Sequence, residues 1–176
     1  MGSLAADEIR NFFLKLSQRY HYHARIYILG GGALCLLGNP RRTVDIDYTL
    51  EETDEHLEEL KRAIDDLARE EQLDLEAVPI QEFIPLPPGA GTRHLRMYQI
   101  GSLEIYVFDP YSIALSKLGR GFETDLQDVL YLLEKGIINL AELAGFVENA
   151  KDNAWDYDIN PEELQLRLNE IREFRE

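Results

Sequence analysis

The sequence predicts an α+β fold in which a mixed β-sheet is flanked by helices and followed by a helical C-terminal cap. Strand-like patterns occur in the first two-thirds of the 176 residues, and the last third shows only helical patterns. A chain of this length suits one domain that buries roughly two-thirds of the surface of the unfolded chain. We therefore expect a core over residues 1–138 and a helical extension over residues 139–176, packed on the same domain.

Apolar periodicity and capping signals define the first elements. A helix over residues 6–19 carries one apolar stripe, formed by Ile9, Phe12, Phe13 and Leu16. From Arg25 an apolar strand leads to three glycines and a short helix, which a Gly-Asn-Pro turn ends before a second strand begins. Thr53 is a candidate cap for the next helix, whose inward side chains are Leu57, Leu60, Ile64 and Leu67.

Turn residues and caps define the later elements. Residues 73–80 form a predicted strand, and residues 94–100 and 103–108 form two more strands joined by a Gly-Ser turn. Asp109 before a proline is a favourable start for a helix. Gly136 is a predicted helix end, and capping boxes predict three helix starts, at Thr124, Asn139 and Asn160.

Two aspartates on the second predicted strand are the clearest functional signal. Asp45 and Asp47 are separated by one isoleucine. Successive strand side chains point to opposite faces, so both carboxylates lie on one face with Cα atoms roughly 6.6 Å apart. Two carboxylates so close repel each other unless a cation lies between them, and their hard oxygen atoms suit Mg²⁺ or Mn²⁺. The sequence therefore predicts a divalent-metal site.

The three glycines precede these aspartates. Gly30, Gly31 and Gly32 allow backbone N–H groups to approach an anion at the start of a helix, where the helix dipole favours negative charge. A phosphate-binding segment beside metal-binding carboxylates is typical of a site for a nucleoside triphosphate.

These motifs resemble those of DNA polymerase β-like nucleotidyltransferases. The glycines, then Arg41 and Thr43, then the two aspartates follow the order of the motif in that superfamily. The resemblance is closest to its small prokaryotic branch, which includes AbiEii-type toxins and minimal nucleotidyltransferases. A second block resembles a downstream Lys-Leu-x-Arg and Asp-x-x-Asp pattern, with Lys117, Arg120, Asp125 and Asp128. Many members have Ser or Thr where Gly32 stands.

The resemblance implies a metal-dependent transfer of a nucleoside monophosphate from an NTP to the hydroxyl of an RNA 3′ end, a protein or a small molecule, in some members within a toxin–antitoxin pair. The implied nucleotide-binding residues are Gly30, Gly31, Gly32, Arg41, Thr43 and Lys117. Asp45 and Asp47 would hold Mg²⁺ or Mn²⁺. A non-catalytic nucleotide- or partner-binding module with the same fold is the alternative.

Relatives of this kind use a third carboxylate on a later strand of the sheet. In the segment from Leu103 to Asp109, strand alternation puts Glu104 and Tyr106 on one face. The resemblance therefore implies that Glu104 is the third metal ligand and the catalytic group that accepts the proton of the acceptor hydroxyl, beside the catalytic Asp45 and Asp47. Asp109 competes for this role, but the proline after it favours a helix cap. We expect the Glu104 carboxylate within roughly 5–6 Å of the two aspartate carboxylates.

Two other classes use parts of the same pattern. A dinucleotide-binding fingerprint needs a third glycine where Cys35 stands, although Glu51 lies near the expected distance for its acid. The helix after the glycines is also too short for a usual crossover. An Asp-x-Asp pair alone suits a nucleotide-sugar glycosyltransferase. The glycines and Arg-x-Thr at fixed spacing favour the nucleotidyltransferase interpretation.

Composition limits the partners. A net charge of −15 argues against an extended nucleic-acid-binding surface. No apolar run approaches the ~18 residues of a membrane span, and the N-terminal region lacks the apolar core of a signal peptide. Cys35 is the only cysteine, which fits a reducing compartment. We expect a cytoplasmic protein without membrane partners.

Overall fold

The computed structural model describes residues 3–51 and 55–175, so the predicted cap at Thr53 lies outside the described residues. The chain divides into two compact units. We call Met1–Val78 with His94–Phe108 the sheet unit, and Pro79–Arg93 with Asp109–Glu176 the helical unit.

The sheet unit contains one five-stranded mixed sheet with the strand order β3-β2-β1-β5-β4. Strands β1 and β5 are parallel, as are β2 and β3, whereas β1 with β2 and β4 with β5 are antiparallel. The predicted α+β class with a mixed sheet is confirmed. In chain order the elements are α1 (Ala6–Arg19), β1 (Ala24–Ile28), α2 (Gly30–Leu36), β2 (Asp45–Leu50), α3 (Leu57–Glu71), β3 (Asp74–Ala77), β4 (Leu95–Ile100) and β5 (Leu103–Val107).

The strand register gives the sheet two unlike faces. One face is apolar and buried, and its side chains are Ala24, Ile26, Ile28, Ile46, Tyr48, Leu103, Ile105 and Val107. A Cβ added to Gly32 in α2 would lie 3.8 Å from Ile9 of α1 and 3.9 Å from Ile46 of β2, so these two helices pack on the apolar face. We call the opposite side the polar face, and it carries Arg25, Tyr27, Asp45, Asp47, Thr49, Asp74, Glu76, Glu104 and Tyr106.

Most elements of the sheet unit agree with the predictions. Helix α1 has the predicted bounds and buries its predicted stripe. The hairpin of β4 and β5 forms as predicted, and Gly101 at its turn has a φ of +58° that favours glycine. The strand predicted over residues 73–80 is shorter because the chain enters a single 3₁₀ turn at Ile80 after Pro79.

The helical unit contains α4 (Pro110–Arg120), α5 (Glu123–Glu134), α6 (Leu140–Lys151) and α7 (Pro161–Glu173). The side chains of Asp109, Asn139 and Asn160 each accept two backbone N–H bonds, so these three predicted caps are confirmed. The predicted cap at Thr124 is wrong, since α5 begins at Glu123 and its cap is the extended Phe122, two residues earlier. Gly136 follows α5 with a φ of +66°, which confirms the predicted stop.

No helix in residues 3–51 or 55–175 is both long and apolar enough to cross a membrane.

Candidate functional site

Asp45 and Asp47 occupy the beginning of β2 and lie on the polar face of the sheet, as the alternation predicts. Both side chains are half-buried. The backbone N–H of Leu29 donates to the carbonyl oxygen of Asp47 at 2.9 Å, which ties the end of β1 to this part of β2. Since α2 begins at Gly30, the two carboxylates lie beside the start of that helix.

The first two glycines make room for side chains of the site. A Cβ on Gly30, whose φ is +56°, would lie 2.3 Å from Oδ2 of Asp47. A Cβ on Gly31 would lie 2.6 Å from Oγ1 of Thr43 and 3.5 Å from Nη2 of Arg41. Separations below about 3 Å do not occur for real Cβ atoms, so the sequence needs glycine at both positions to keep this packing.

Gly32 has a different role. Its backbone is buried, and a Cβ there would lie 3.3 Å from Cγ2 of Ile28. The residue therefore helps α2 to pack closely against β1. The predicted phosphate contact at Gly32 would use its backbone N–H in the first turn of α2, and it stays a prediction.

Thr43 and Arg41 lie in the turn between α2 and β2. The hydroxyl of Thr43 donates to Oδ1 of Asp45 at 3.2 Å. The backbone N–H of Arg41 donates to Oδ1 of Asn39 at 3.0 Å, and its carbonyl lies 3.3 Å from Sγ of Cys35. The structure thus brings together six predicted site residues: Gly30, Gly31, Arg41, Thr43, Asp45 and Asp47.

Glu104 does not join this group, which corrects its prediction as the third carboxylate. It lies on the polar face, but the parallel pairing of β1 and β5 aligns it with Arg25, whereas Asp47 aligns with Leu29. Arg25 and Leu29 are four residues apart, which places Glu104 about 13 Å along the strand direction from Asp47. Glu104 instead lies 2.7 Å from Nε2 of His23 and 3.2 Å from Nε of Arg25. Hydrogen bonds from His23 and Arg25 hold the pKa of its carboxyl below the usual value.

Aromatic side chains of β1 and β5 occupy the polar face between the level of Glu104 and that of Asp47. The rings of Tyr27 and Tyr106 stack with their centroids 5.4 Å apart, and Phe108 lies 6.2 Å from Tyr27. The hydroxyl of Tyr27 donates to Oε1 of Glu51 at 2.6 Å, and burial together with that carboxylate raises the pKa of Tyr27. Within the described residues, no group of three His, Cys, Asp or Glu side chains is arranged to hold a metal ion.

Lys117 also differs from its predicted role. It is 3% exposed in the helical unit, and its ammonium group pairs with Asp125 at 3.2 Å and Asp128 at 2.7 Å. Burial opposes ionisation of Asp125, but Arg120 and Lys117 outweigh it and lower the pKa of that carboxyl. The Lys-Leu-x-Arg and Asp-x-x-Asp block therefore forms a buried ion pair between α4 and α5. An ammonium group held in this way is not presented to a triphosphate.

Comparison with known proteins identifies the family. The chain belongs to the family described as "Nucleotidyltransferase of unknown function (DUF6036)", whose model matches residues 7–173. Among solved structures, the chain is similar to an antigenic nucleotidyltransferase-like protein from Paracoccidioides brasiliensis. The two are 18% identical over 90% of this chain and 96% of that chain, with a TM-score of 0.48. No curated protein matches the chain. The narrower resemblance to the AbiEii-type branch stays a prediction.

Proposed function

We propose that this protein is a metal-dependent nucleotidyltransferase that moves a nucleoside monophosphate from an NTP to an acceptor hydroxyl. Membership of a nucleotidyltransferase family supports the reaction class. The observation that carries the proposal is the placement of Asp45 and Asp47 on one face of β2, with Thr43 and Arg41 packed beside them at the start of α2.

The side chains at this position suit a hard divalent cation. Mg²⁺ in nucleotide sites is held by one or two protein carboxylates, and water and substrate phosphates complete its coordination. Asp45 and Asp47 would hold Mg²⁺ or Mn²⁺. When bound, the ion would neutralise the triphosphate and polarise the attacking hydroxyl.

The other residues of the site would act on the phosphates and on the geometry. The guanidinium group of Arg41 lies beside Gly31, where it would add positive charge to the leaving group. In the transfer, the acceptor oxygen forms a bond to the α-phosphorus, the bond to the pyrophosphate oxygen breaks, and the hydroxyl proton passes to water. On the polar face, the carboxylates in register with Asp45 and Asp47 are Asp74 and Glu76 of β3. Within the described residues, however, no group of three His, Cys, Asp or Glu side chains is arranged to hold a metal ion, so the site has no third metal-binding carboxylate there.

That difference favours a second candidate, a nucleotide- or partner-binding module that keeps the fold without turnover. Such a module needs only the metal and phosphate contacts, whereas efficient transfer gains from a group that accepts the hydroxyl proton. A place in a toxin–antitoxin pair and a cytoplasmic location stay predictions for either candidate.

A label-transfer screen tests the proposal. Each α-labelled NTP is incubated with the protein and Mg²⁺ or Mn²⁺, and the acceptors are total tRNA, cell protein and small hydroxyl compounds. We expect label in one acceptor class, and no label with Asp45→Asn/Asp47→Asn. Metal-dependent NTP binding without transfer to any acceptor would favour the binding module. Absence of both binding and transfer would contradict the transferase and the nucleotide-binding module, and would leave only a module that binds a partner.

A further inference from the structure

The turn that leads into β2 is held by the N-terminal segment of the chain. Leu4 and Thr43 form an isolated antiparallel bridge, in which the N–H of Leu4 donates to the carbonyl of Thr43 at 2.6 Å and the N–H of Thr43 donates back at 2.9 Å. Nε of Arg42 donates to Oγ of Ser3 at 2.8 Å, and its Nη2 lies 2.8 Å from Oε2 of Glu8. The backbone of Thr43 is thereby fixed on both sides.

The side chain of Thr43 is fixed as well. The residue is only 5% exposed, so its hydroxyl is not presented to a nucleotide that arrives from solvent. Its Oγ1 lies where a Cβ of Gly31 would come within 2.6 Å, and it donates to Oδ1 of Asp45 at 3.2 Å. A hydroxyl confined in this way restricts the orientation of the Asp45 carboxylate, because one of its two oxygen atoms is engaged.

We infer that Thr43 is a positioning residue, which sets the orientation of the Asp45 carboxylate for a divalent metal ion and does not itself contact the nucleotide. The inference rests on the proposed function, since it assumes that Asp45 binds metal. It reassigns Thr43 from the nucleotide-binding role that the resemblance implies. It also gives Gly31 a specific task, which is to leave room for the hydroxyl. Groups that orient metal ligands commonly contribute about 10–100-fold to metal affinity.

The test uses electron paramagnetic resonance of Mn²⁺ bound to each of the four NTPs, with wild type, Thr43→Val and Thr43→Ser. Val keeps the shape of Thr and removes the hydroxyl, whereas Ser keeps the hydroxyl. We expect Thr43→Val to weaken binding of the Mn²⁺–NTP complex about 10-fold or more and Thr43→Ser to remain within about threefold of wild type. Urea unfolding of the same variants measures their stability. If the role of Thr43 were purely structural, stability and affinity for Mn²⁺–NTP would fall together.

Gly31→Ala provides a second test that does not depend on the folding of Thr43→Val. Gly31 is not among the glycines with positive φ, so its backbone tolerates alanine, but the new Cβ would displace the hydroxyl. We expect a similar loss of Mn²⁺–NTP affinity. In a Thr43→Ala background, Gly31→Ala should lower the affinity for Mn²⁺–NTP by no more than about threefold, because the hydroxyl that it displaces is already absent. An equal loss in both backgrounds would overturn the inference and favour direct contact of phosphate with Gly31.

The outcomes separate this inference from the proposed function. If wild type binds Mn²⁺–NTP and Thr43→Val binds it equally well, Thr43 does not position Asp45, while the proposed function stands. If Thr43→Ser is as weak as Thr43→Val, the hydroxyl is not the responsible group and the inference is wrong. If wild type binds no Mn²⁺–NTP complex, the proposed function fails first and this inference fails with it.

Discussion

Two pairs of aspartates in this chain have opposite surroundings. Asp125 and Asp128 on α5 are each 2% exposed, and Lys117 pairs with both of them. Asp45 and Asp47 on β2 are half-buried, and the hydrogen bond to Asp45 comes from the neutral hydroxyl of Thr43. Both pairs lie in blocks that resemble nucleotidyltransferase motifs, yet only the β2 pair remains accessible to a ligand.

The comparison shows that a motif with acidic residues can serve either the fold or the chemistry. A buried carboxylate needs a cation from the protein itself, because its desolvation is costly unless it is paired. Where the protein supplies that cation, as Lys117 does, a metal ion is not needed. The proposed function instead needs carboxylates that a metal ion can reach, and the half-buried Asp45 and Asp47 meet that condition. The following variants test this distinction, from the largest expected effect to the smallest.

Lys117→Met should destabilise the protein by about 3–5 kcal/mol, because it leaves the buried carboxylates of Asp125 and Asp128 without their shared ammonium group. The free energy of urea unfolding measures the effect. Lys135→Met is the matched control, since Lys135 is exposed on the same unit and should change stability by no more than about 0.5 kcal/mol. If the two variants are equally stable, the ion pair does not hold the helical unit together.

Gly30→Ala should lose about 1–2 kcal/mol of stability from its left-handed backbone and should also weaken metal binding, because the new Cβ displaces Asp47. Gly136→Ala is the control for backbone strain alone. Its φ is +66°, and nothing lies within 4 Å of an added Cβ. Urea unfolding should show similar losses of stability in Gly30→Ala and Gly136→Ala, whereas affinity for Mn²⁺–NTP should fall only in Gly30→Ala. An equal fall in both variants would contradict the packing of Gly30 against Asp47.

The lowered pKa of Asp125 predicts how acid acts on the helical unit. A carboxyl whose pKa is lower in the folded state stabilises the protein at a pH above its unfolded value of about 3.9, and this contribution disappears as the pH falls through the folded value. The difference in unfolding free energy between wild type and Asp125→Asn should therefore shrink as the pH falls below about 4. A difference that stays constant or grows in acid would contradict the stated cause, the ion pairs with Arg120 and Lys117.

Glu104→Gln should have the smallest effect on metal binding. Glu104 is engaged by His23 and Arg25 at the far end of the polar face, about 13 Å along the strand from Asp47. Calorimetry should show an affinity for Mn²⁺–NTP within about threefold of wild type, because a charge beyond a Debye length is largely screened at physiological salt. A loss as large as that of an aspartate variant would restore Glu104 as a ligand.

Local patterns predicted much of the fold and part of the site. Helix α1, the hairpin and the caps at Asp109 and Asn139 depend on residues close in sequence, so periodicity and capping chemistry were sufficient. The shared face of Asp45 and Asp47 follows from strand alternation alone. The position of Glu104 depends on the register between β1 and β5, which are far apart in sequence. Alternation gives the face of a residue but not its level along the strand.

Burial was the second property that local patterns could not supply. Lys117 fits a nucleotide-binding pattern by its spacing, but its partners Asp125 and Asp128 come from the next helix, and the packing of the two helices decides that all three are buried. The same holds for the glycines. Their closeness to Asp47 and Thr43 depends on how α2 meets β2, which the glycine run itself does not specify.

The central claim is that Asp45 and Asp47 bind a divalent metal with a nucleotide. The most direct measurement is calorimetric titration of Mn²⁺–NTP complexes into wild type and Asp45→Asn/Asp47→Asn. Glu51→Gln/Glu104→Gln is the matched control, because it also removes two carboxylates from the polar face, but at the level of Arg25, which binds both of them, about 13 Å along the strand from Asp47. We predict a loss of about 100-fold or more for Asp45→Asn/Asp47→Asn and a change within about threefold for the Glu51/Glu104 control. Equal affinities of wild type and the β2 variant would contradict the metal site.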